Sequence, residues 1–503
     1  MAKPSSVNST IAIEEIQERT RRTLQRGLDP TAAMKLIDTL QWLGISYHYE
    51  EEIEFWLEKL QHWDAGEDDL HAAALRFRLL RQNARPVSSD VFKKFMLKEQ
   101  DKEGLLNLYE ASYLGGNGED TLSEAMKFAE NELKSLPVPQ HISRRVARAL
   151  ELPRHLRMER LESRLYIDEY RCQDNHCPLL LKHAIFDYNE VQSLHQTELA
   201  EVSRWWKQLG IIEKLGFARD RLMECFLWTI GVIPEPKYSE IRIEMVKTTA
   251  LLTVIDDVFE MYGSMDELHL FTSAIQRWNL DTIEQLPEYM KICYSALYNT
   301  TNEIAFKVLK KQGRNVLPFL SKVWVDTIEA YMIEAKWFNN GNIPYVEDYL
   351  KNGVTTSGSY MALVHLFFLM GEGITIENMN LMSKPYPKLL SNSGTILRLW
   401  DDLGTTKEEQ NRGDNASIIT SLLMHKIAGS EDEAKKYVKE HILHIWKNMN
   451  DELKGSNLLP LAFVKACLNM SRTSQVVYQH KEDSYLFSVK KYVDLILLKP
   501  ITY

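Results

Sequence analysis

The spacing of apolar residues is the feature that most constrains the fold of this chain. Along most of its length they recur at intervals of three and four, which places them on one stripe of an α-helix. Runs that alternate between apolar and polar residues, as strands do, are few. The pattern predicts helices over residues 32–43, 51–62, 69–82, 89–97, 105–114, 122–136, 223–233, 242–262, 304–311, 317–337, 360–371 and 391–403.

Turn-forming residues are scarce in the same way. The chain has 22 Gly and 16 Pro in 503 residues, against roughly 35 and 25 at average usage. The spacing and the composition together predict an all-α protein. Its length suffices for two or three domains, each with its own core.

A change in amino-acid composition within the first half of the chain indicates a domain boundary. Residues 152–175 mix Pro, Arg and acidic residues, and the helices that follow are longer and more apolar. We therefore predict a polar N-terminal end over 1–20, a first helical domain over 21–175 and a second over 176–503. The arginine-rich stretch 144–164 is interleaved with glutamates, which is typical of a solvated, ion-paired helix surface rather than an RNA site.

Charge and composition limit the partners. The net charge of −10 and the pI near 5.9 argue against a nucleic-acid partner, which would need a basic face. No stretch reaches about 18 uncharged apolar residues, so no transmembrane segment is expected. Glu14, Glu15 and Glu18 make the N-terminal region acidic, whereas organellar transit peptides are poor in acids. The five cysteines are odd in number and mostly in apolar sequence, as in reduced thiols. We predict a cytoplasmic protein.

An acidic cluster in an apolar segment points to chemistry. Asp256 and Asp257 are adjacent, and Glu260 follows four residues after Asp256, within an apolar, helix-length stretch. Carboxylates in such a setting are costly unless a cation or partner holds them. The cluster therefore predicts a divalent-metal site.

A second oxygen-rich cluster follows about 145 residues downstream. Asp401, Thr405 and Glu409 are spaced i, i+4 and i+8, along one stripe of a helix. Hard cations prefer oxygen ligands, usually with substrate phosphates and water. Because little His or Cys lies near either cluster, the two sites favour Mg²⁺ or Mn²⁺ over zinc.

If the two metal sites face each other across a cavity, the natural ligand between them is a diphosphate. Arg219 and Arg221 lie upstream of the first cluster, and Arg398 lies one helical turn before Asp401. These arginines would place positive charge where negative charge develops as diphosphate departs.

The allylic cation left behind would need a dry aromatic pocket, because a π face attracts cations. Among the aromatic residues of the second half, we predict Trp228 for this role, with Tyr485 as a second candidate.

These motifs resemble those of plant class I terpene synthases. Asp256 to Glu260 resembles the family's aspartate-rich motif, and Asp401, Thr405 and Glu409 resemble its second metal motif. Arg219-Asp220-Arg221 is similar to its paired-arginine motif. Segments 40–48, 75–82, 108–112, 192–199 and 478–480 also resemble family blocks, so the resemblance covers nearly the whole chain.

The resemblance implies a fold and an activity. It implies an N-terminal relic (α/α) barrel and a C-terminal class I isoprenoid-synthase helical bundle, in a monomeric carbon–oxygen lyase that acts on a prenyl diphosphate. Three Mg²⁺ ions would be bound, with Mn²⁺ as a substitute. A kink at 355–358 would point a backbone carbonyl at the cation, and Asp483 would lie on a loop that closes over the site.

It also implies a role for each residue that matches a motif, in groups that overlap. Asp256, Asp257, Glu260, Asp401, Thr405 and Glu409 would bind metal. Arg219, Arg221 and Arg398, with Asp256 and Asp401, would bind the diphosphate. Arg219, Asp256 and Asp257 would act in catalysis, together with Trp228, which the need for an aromatic pocket predicts.

Two departures from the family pattern bear on the product. Glu260 stands where the family more often has Asp. After the tandem Arg21-Arg22 and eight intervening residues, the position of the Trp is occupied by Thr31. In lacking this Trp, the chain resembles the subfamily that makes acyclic alcohols. This resemblance implies linalool from geranyl diphosphate, nerolidol from farnesyl diphosphate, or both. A cyclising mono- or sesquiterpene synthase is the alternative.

Three other classes fit less well. A chain-elongating prenyltransferase would carry further aspartates where Thr405 and Glu409 stand. A protonation-initiated cyclase would need an Asp-x-Asp-Asp motif, which 66–69 does not supply. A non-catalytic helical scaffold would have no need of acidic clusters that follow apolar runs beside arginines.

Overall fold

The computed structural model describes residues 4–63, 69–97, 101–135, 140–281, 283–411, 416–454, 458–479 and 485–502. Its side chains are described except at 4–10, 97, 140–141, 407–411 and 485–488. Every regular element in these ranges is a helix. The prediction of an all-α protein is confirmed.

One compact unit, unit 1, comprises Met1–Ser193, Trp446–Asn457 and Asp494–Tyr503. Its helices begin where short polar side chains cap the chain: Asp29, Asp69 and Asp101 each accept a hydrogen bond from a backbone N–H three residues on, which satisfies an otherwise unpaired amide. The helices wholly within unit 1 are α1 Pro4–Gln25, α2 Pro30–Trp42, α3 Glu50–His62, α4 Leu70–Gln82, α5 Lys102–Ser112, α6 Asp120–Ser135, α7 Gln140–Glu151 and α8 Glu159–Arg171.

Unit 1 includes a segment that is distant in sequence. Asn450, within Trp446–Asn457, donates hydrogen bonds to the carbonyls of Tyr113 and Gly115 at 2.8 and 2.9 Å. Its side-chain oxygen lies 2.8 Å from His155 Nε2. Compact units need not coincide with functional domains, so the predicted domain limits at 20, 175 and 176 stay a prediction.

The other compact unit, unit 2, comprises Leu194–Ile445 and Leu458–Val493. Its core includes fully buried aromatic side chains such as Phe271, Tyr294, Trp324 and Phe367. The remaining helices, of which α9 and α21 contribute to both units, are α9 Pro178–Leu209, α10 Ile211–Lys214, α11 Leu222–Val232, α12 Ser239–Asp257, α13 Met265–Arg277, α14 Glu288–Gln312, α15 Leu317–Asn339, α16 Val346–Thr356, α17 Ser359–Met370, α18 Ile376–Asn380, α19 Lys388–Asn411, α20 Ile418–Met424, α21 Glu431–Glu452, α22 Leu461–Tyr478 and α23 Tyr485–Val493.

A break between α16 and α17 confirms the predicted kink at 355–358. Gly358 has φ +75°, a conformation that favours glycine, and a Cβ at this position would collide with Leu252. The stretch Val346–Met370 is long and apolar enough to cross a membrane, but 83% of its most apolar window is buried inside the protein. Core helices have the same character.

The predicted boundary region, residues 152–175, contains helix α8. Several of the nearby arginines are ion-paired as predicted, but Arg157 and Arg160 are buried rather than solvated, whereas Arg144 is exposed. Arg157 Nη1 lies 2.9 Å from Glu162, Arg148 lies 2.5 Å from the same carboxylate, and Arg160 donates to the Tyr188 carbonyl at 2.7 Å. Charge pattern alone could not distinguish a solvated face from a buried network.

The cysteines divide by position. Cys225, Cys293 and Cys467 are buried, reduced thiols, as expected, whereas Cys172 and Cys177 are exposed.

Candidate metal and diphosphate site

The first acidic cluster lies where α12 ends in unit 2. Asp256 and Asp257 occupy its last turn, and the chain continues as a π-helical turn, Val258–Tyr262, that contains Glu260. We predicted an unbroken helix to 262; such π turns are frequent at functional sites. One oxygen from each of the three carboxylates lies within 4.8 Å of the others. The structure therefore brings the three predicted side chains together.

Arg219 is paired with this cluster. Its backbone N–H donates to Asp257 at 2.7 Å and its Nε at 2.5 Å. Its Nη2 lies 3.0 Å from Glu260 and 3.7 Å from Asp256. Burial opposes the charge of Arg219, but hydrogen bonding to Asp257 and the nearby carboxylates hold its pKa above the ordinary value. Arg219 is thus a fixed cation beside the predicted metal ligands.

The two adjacent aspartates differ in exposure. The Asp256 side chain is 39% exposed, whereas that of Asp257 is fully buried. Partial desolvation of the carboxyl group and the charge of Glu260 raise the pKa of Asp256. Asp256 is therefore the member of the pair that a ligand in solution can reach.

The second cluster, on α19, shows the same division. The Asp401 side chain is 22% exposed and that of Asp402 is fully buried. Asp402 accepts hydrogen bonds from the Tyr349 hydroxyl and the Ile418 N–H, each at 2.8 Å. Burial raises the pKa of Asp402 to about 7 although Arg398 opposes the shift. Asp402 thus joins α19 to α16 and α20 by hydrogen bonds, whereas part of the Asp401 side chain stays exposed.

The other two predicted ligands on α19 lie beyond Asp401. The Thr405 hydroxyl donates to the Asp401 carbonyl at 2.8 Å, which directs its oxygen lone pairs away from the helix backbone. Glu409 falls on α19, but its side chain lies outside the described residues.

Arg398 lies beside Asp401, as its spacing predicts. Its Nη1 is 3.6 Å from Asp401 and 3.5 Å from Asp402, and its Nη2 donates to the Thr356 hydroxyl at 2.9 Å. The side chain crosses α16 at Gly353, where a Cβ would lie 3.2 Å from Arg398 Cγ. The missing side chain of Gly353 gives the arginine room to reach Thr356.

Two residues of α15 link the clusters, and the sequence analysis missed both. Tyr331 is buried near Asp256, and burial and the Asp256 charge raise the pKa of Tyr331 well above its usual range. Glu334 accepts from the Thr356 hydroxyl at 2.7 Å and lies 4.0 Å from Arg398, and its charge contributes to the raised pKa of Asp256. A carboxylate within the apolar helix 317–337 was the signal that could have identified Glu334.

The remaining predicted residues lie on or beyond α11. Arg221 is half-buried at the start of α11, where its charge acts on Glu224. Trp228 is half-buried, with its ring centroid 5.9 Å from that of Tyr478. The side chains of Tyr485 and Asp483 lie outside the described residues.

Comparison with known protein families identifies both halves of the chain. Residues 207–448 match the terpene synthase family metal-binding domain, and residues 2–150 match the terpene synthase N-terminal domain.

Full-length relatives agree. The chain is 55% identical over 99% of its length to monoterpene synthase TPS4 of Cananga odorata, of which it covers 86%. It is 53% identical over 96% of its length to geraniol synthase of Ocimum basilicum, covering 86% of that protein. It is 52% identical over 97% of its length to R-linalool synthase of the same species, covering 87%.

Solved structures of related enzymes share the fold. Isoprene synthase of Populus x canescens, in complex with three Mg²⁺ ions and dimethylallyl-S-thiolodiphosphate, is 36% identical and has a TM-score of 0.90 over 98% of this chain and 97% of its own. Limonene synthase with 2-fluorolinalyl diphosphate is 35% identical, with a TM-score of 0.92 over 98% of this chain and 95% of its own.

The predicted cytoplasmic location is wrong, because all three of these relatives are named chloroplastic. The acidic residues behind that prediction belong to the folded part of the chain. Glu14, Glu15 and Glu18 lie on α1, whose Ile13 and Ile16 are buried. Their charge reports the solvent-facing side of a helix rather than any property of a targeting segment.

The prediction that this chain is an enzyme is confirmed, and so is its general class. Both family matches, the identities above 50% and the shared fold agree with the motifs at the two acidic clusters. The chain belongs to the terpene synthase family.

Proposed function

We propose that this protein ionises geranyl diphosphate in a Mg²⁺-dependent reaction and that water captures the cation, giving an acyclic tertiary alcohol, linalool. Relatives named geraniol synthase and R-linalool synthase support an acyclic alcohol from a ten-carbon precursor. The absent Arg-Arg-to-Trp element at 21–31 supports the same product. The location we propose is the plastid, and the active form is a monomer.

The observation that carries the proposal is the meeting of two distant acidic clusters around α15. The charge of Glu334 acts on Asp256, and Glu334 lies 4.0 Å from Arg398, which lies beside Asp401. In this group the carboxylates outnumber the guanidinium groups. An excess of partly buried negative charge is unfavourable unless cations compensate it.

The donor atoms fit magnesium. The exposed predicted ligands, Asp256, Glu260, Asp401 and Thr405, offer oxygen only, which suits Mg²⁺ or Mn²⁺. Glu409 completes the proposed set, and Asp257, now paired with Arg219, would join it by exchanging the guanidinium for a metal ion. Three ions are proposed, as in the similar isoprene synthase complex. Bound ions would neutralise the charge of the departing diphosphate.

The arginines would hold the leaving group. Arg219 and Arg398 are fixed by several hydrogen bonds and ion pairs each, so their positions are set before substrate arrives. With Arg221 they would bind diphosphate oxygens through charge-assisted hydrogen bonds. Preorganised positive charge favours the ionised state over the intact ester.

Aromatic side chains would line the part of the site that receives the hydrocarbon. Trp228 contacts Tyr478, and Tyr360 stacks on Tyr386 with ring centroids 4.2 Å apart. The Tyr360 hydroxyl is engaged by Ser391 at 2.8 Å. We propose that the Trp228 face stabilises the allylic cation until water adds at its tertiary end.

The test is incubation of the purified protein with Mg²⁺ and geranyl or farnesyl diphosphate separately, followed by chiral gas chromatography. We expect linalool from geranyl diphosphate at the higher rate. Nerolidol formed faster from farnesyl diphosphate would move the assignment to the fifteen-carbon class. Mainly cyclic hydrocarbons would overturn the acyclic product, an outcome that the similarity to limonene synthase makes worth measuring.

A pair of variants tests the site itself. Asp256→Ala should abolish turnover with the fold intact, whereas Asp266→Ala, which removes an exposed carboxylate at the start of α13, should leave turnover unchanged. Full activity in Asp256→Ala would remove the metal-site assignment.

A further inference from the structure

Unit 1 contains a cluster of metal-ligating side chains that is separate from the acidic site. His48, His183 and Asp187 each place one ligand atom within 4.8 Å of the other two. His183 is fully buried, Asp187 is nearly so, and the His48 side chain is 24% exposed. The cluster therefore has one side that solvent can reach.

Helical spacing brings two of these residues together. His183 and Asp187 lie on α9 four residues apart, which places them on one face of the helix. Paired ligands at this spacing on one helix are a recurrent way to bind zinc. Two ligand atoms in the cluster are thus set by the helix itself.

His48 joins them from the short 3₁₀ turn Ser46–Tyr49. Arg21 fixes this turn by donating to the His48 carbonyl at 3.0 Å. His48 Nε2 lies 2.7 Å from Asp187 Oδ1, and the Tyr47 hydroxyl donates to the same carboxylate oxygen. The carboxylate is therefore oriented toward the imidazole by a neighbouring side chain.

The surroundings of His183 leave one ring nitrogen suited to bind metal. The Tyr49 hydroxyl lies 3.3 Å from His183 Nδ1. On the other side, the Gln17 amide nitrogen lies 3.1 Å from His183 Nε2 and 3.4 Å from His48 Nδ1. An Nε2 that accepts from an amide carries its lone pair, and a partner on the other nitrogen fixes the tautomer, as in known metal sites.

We propose that His48, His183 and Asp187 form a transition-metal site, suited to Zn²⁺, with the fourth position beside the Gln17 amide. Two imidazoles and one carboxylate suit zinc better than magnesium. At zinc–ligand distances near 2.0–2.1 Å, tetrahedral ligand atoms lie about 3.3 Å apart. Small side-chain rotations would bring the three groups to that spacing: His48 and Asp187, now 2.7 Å apart, would separate, and the other ligand atoms, all within 4.8 Å, would close in.

The protonation state of His183 agrees with this role. Burial lowers the pKa of His183 to about 4, so the imidazole is neutral at pH 7. Metal binding then needs no proton to leave His183. The competing arrangement is a metal-free hydrogen-bonded network of the same groups, and the experiment below separates the two.

The test uses the full-length protein, stripped of metals and then saturated with Mg²⁺ so that oxygen-rich sites are occupied. Co²⁺ is titrated in, because cobalt with four ligands that include imidazole absorbs visible light much more strongly than cobalt with six oxygens. We expect one equivalent to give the strong band and Zn²⁺ to displace it. Zn²⁺ should also raise the Tm.

Three variants decide the assignment. His48→Ala and the isosteric Asp187→Asn should each weaken Co²⁺ binding by at least about tenfold. His71→Ala is the matched control: it removes another half-buried imidazole of unit 1, one that lies 2.9 Å from Asn107, and should leave binding unchanged. Circular dichroism confirms that each variant is folded. Absence of the strong band in the wild type, or equal titrations in wild type and Asp187→Asn, would overturn the metal site.

Discussion

At the scale of single residues, each acidic pair divides its work between two adjacent aspartates. Asp256 and Asp401 are partly exposed, whereas Asp257 and Asp402 are fully buried and held by hydrogen bonds. The buried member anchors the backbone that presents the exposed one. The sequence does not show which of two adjacent aspartates is buried, because that depends on which face of the helix packs against neighbouring helices.

The first prediction concerns Arg219, whose guanidinium group supplies positive charge among three carboxylates. Arg219→Gln leaves Asp257 buried without its ion-pair partner, and the loss of one partner of a buried pair costs about 3 kcal/mol. We expect a lower Tm in chelator. Mg²⁺ should then raise the Tm by more than it does in the wild type, because the ions supply the missing charge. Thermal unfolding with and without Mg²⁺ measures both effects.

Arg204→Gln provides the comparison for Arg219. Arg204 is an exposed arginine of unit 2 that hydrogen-bonds with the carbonyl one turn before it on α9. Its replacement should change neither the Tm nor the response to Mg²⁺. If Mg²⁺ raised the Tm of Arg219→Gln by no more than it raises that of Arg204→Gln, the guanidinium group and the metal ions would not be neutralising the same carboxylates.

The second prediction concerns acid stability through Glu119 in unit 1. Arg81 and Lys454 each lie 2.6 Å from Glu119, and the Gly116 N–H donates to it at 2.8 Å. Burial alone would raise the pKa of Glu119, but these partners outweigh burial and lower it to about 2. Because the folded pKa is below the unfolded one, the stabilisation is complete above about pH 4.5 and is lost as the pH falls toward 2.

Glu119→Gln should therefore lower the free energy of unfolding by about 1–2 kcal/mol at pH 7, because solvent screens these partly exposed ion pairs, and should flatten its decline between pH 4.5 and pH 2. Urea unfolding over that pH range measures both effects. Glu124→Gln, at an exposed position on α6, should follow the wild-type curve. If the free energy of unfolding of Glu119→Gln declines with falling pH as steeply as that of the wild type, another group causes the loss of stability in acid.

At the scale of elements, the helices were predictable because apolar residues recur along them at helical spacing, although some, such as Leu70–Gln82, are buried on almost every side. The predicted 51–62, 69–82 and 317–337 are observed as Glu50–His62, Leu70–Gln82 and Leu317–Asn339. The π turn Val258–Tyr262 was not predictable, because apolar periodicity continues through it. Residues 89–97 form short 3₁₀ turns, Ser89–Phe92 and Phe95–Leu97, rather than one helix.

The third prediction belongs to the break between α16 and α17. Gly358→Ala forces a side chain into the left-handed region, at about 1–2 kcal/mol, and into Leu252, which adds about 1–3 kcal/mol of overpacking. We expect a loss of about 2–5 kcal/mol in the free energy of unfolding. Adding Leu252→Ala should recover part of the overpacking cost, which a double-mutant cycle in urea measures.

Gly313→Ala is the matched control for this strain. Gly313 has φ +70° at the end of α14, and a Cβ there meets nothing within 4 Å. Its replacement should cost only about 1–2 kcal/mol, the cost of placing a side chain in the left-handed backbone conformation. Equal losses in Gly358→Ala and Gly313→Ala would show that the contact with Leu252 does not contribute.

At the scale of the whole molecule, the sequence identified the ligand-bearing motifs but not the contacts that join them. Asp256 and Arg398 were found because short motifs carry them. Tyr331, Glu334 and Thr356, which connect the two clusters, sit in ordinary helical sequence, and their partners lie on other helices. Their positions depend on how α15, α16 and α19 pack, which local patterns do not encode.

The fourth prediction follows from that convergence, because a site built from distant segments links ligand binding to folding. Mg²⁺ with inorganic pyrophosphate should stabilise the full-length protein by about 2.7 kcal/mol at 100 times the dissociation constant, and pyrophosphate without Mg²⁺ should stabilise it far less. Asp256→Ala and Asp401→Ala should each remove most of this shift, since each removes a ligand from a different cluster, whereas Asp266→Ala should retain it. Thermal unfolding with each ligand combination provides the measurement. If either cluster variant alone kept the full shift, the two acidic clusters would not be acting on a common ligand.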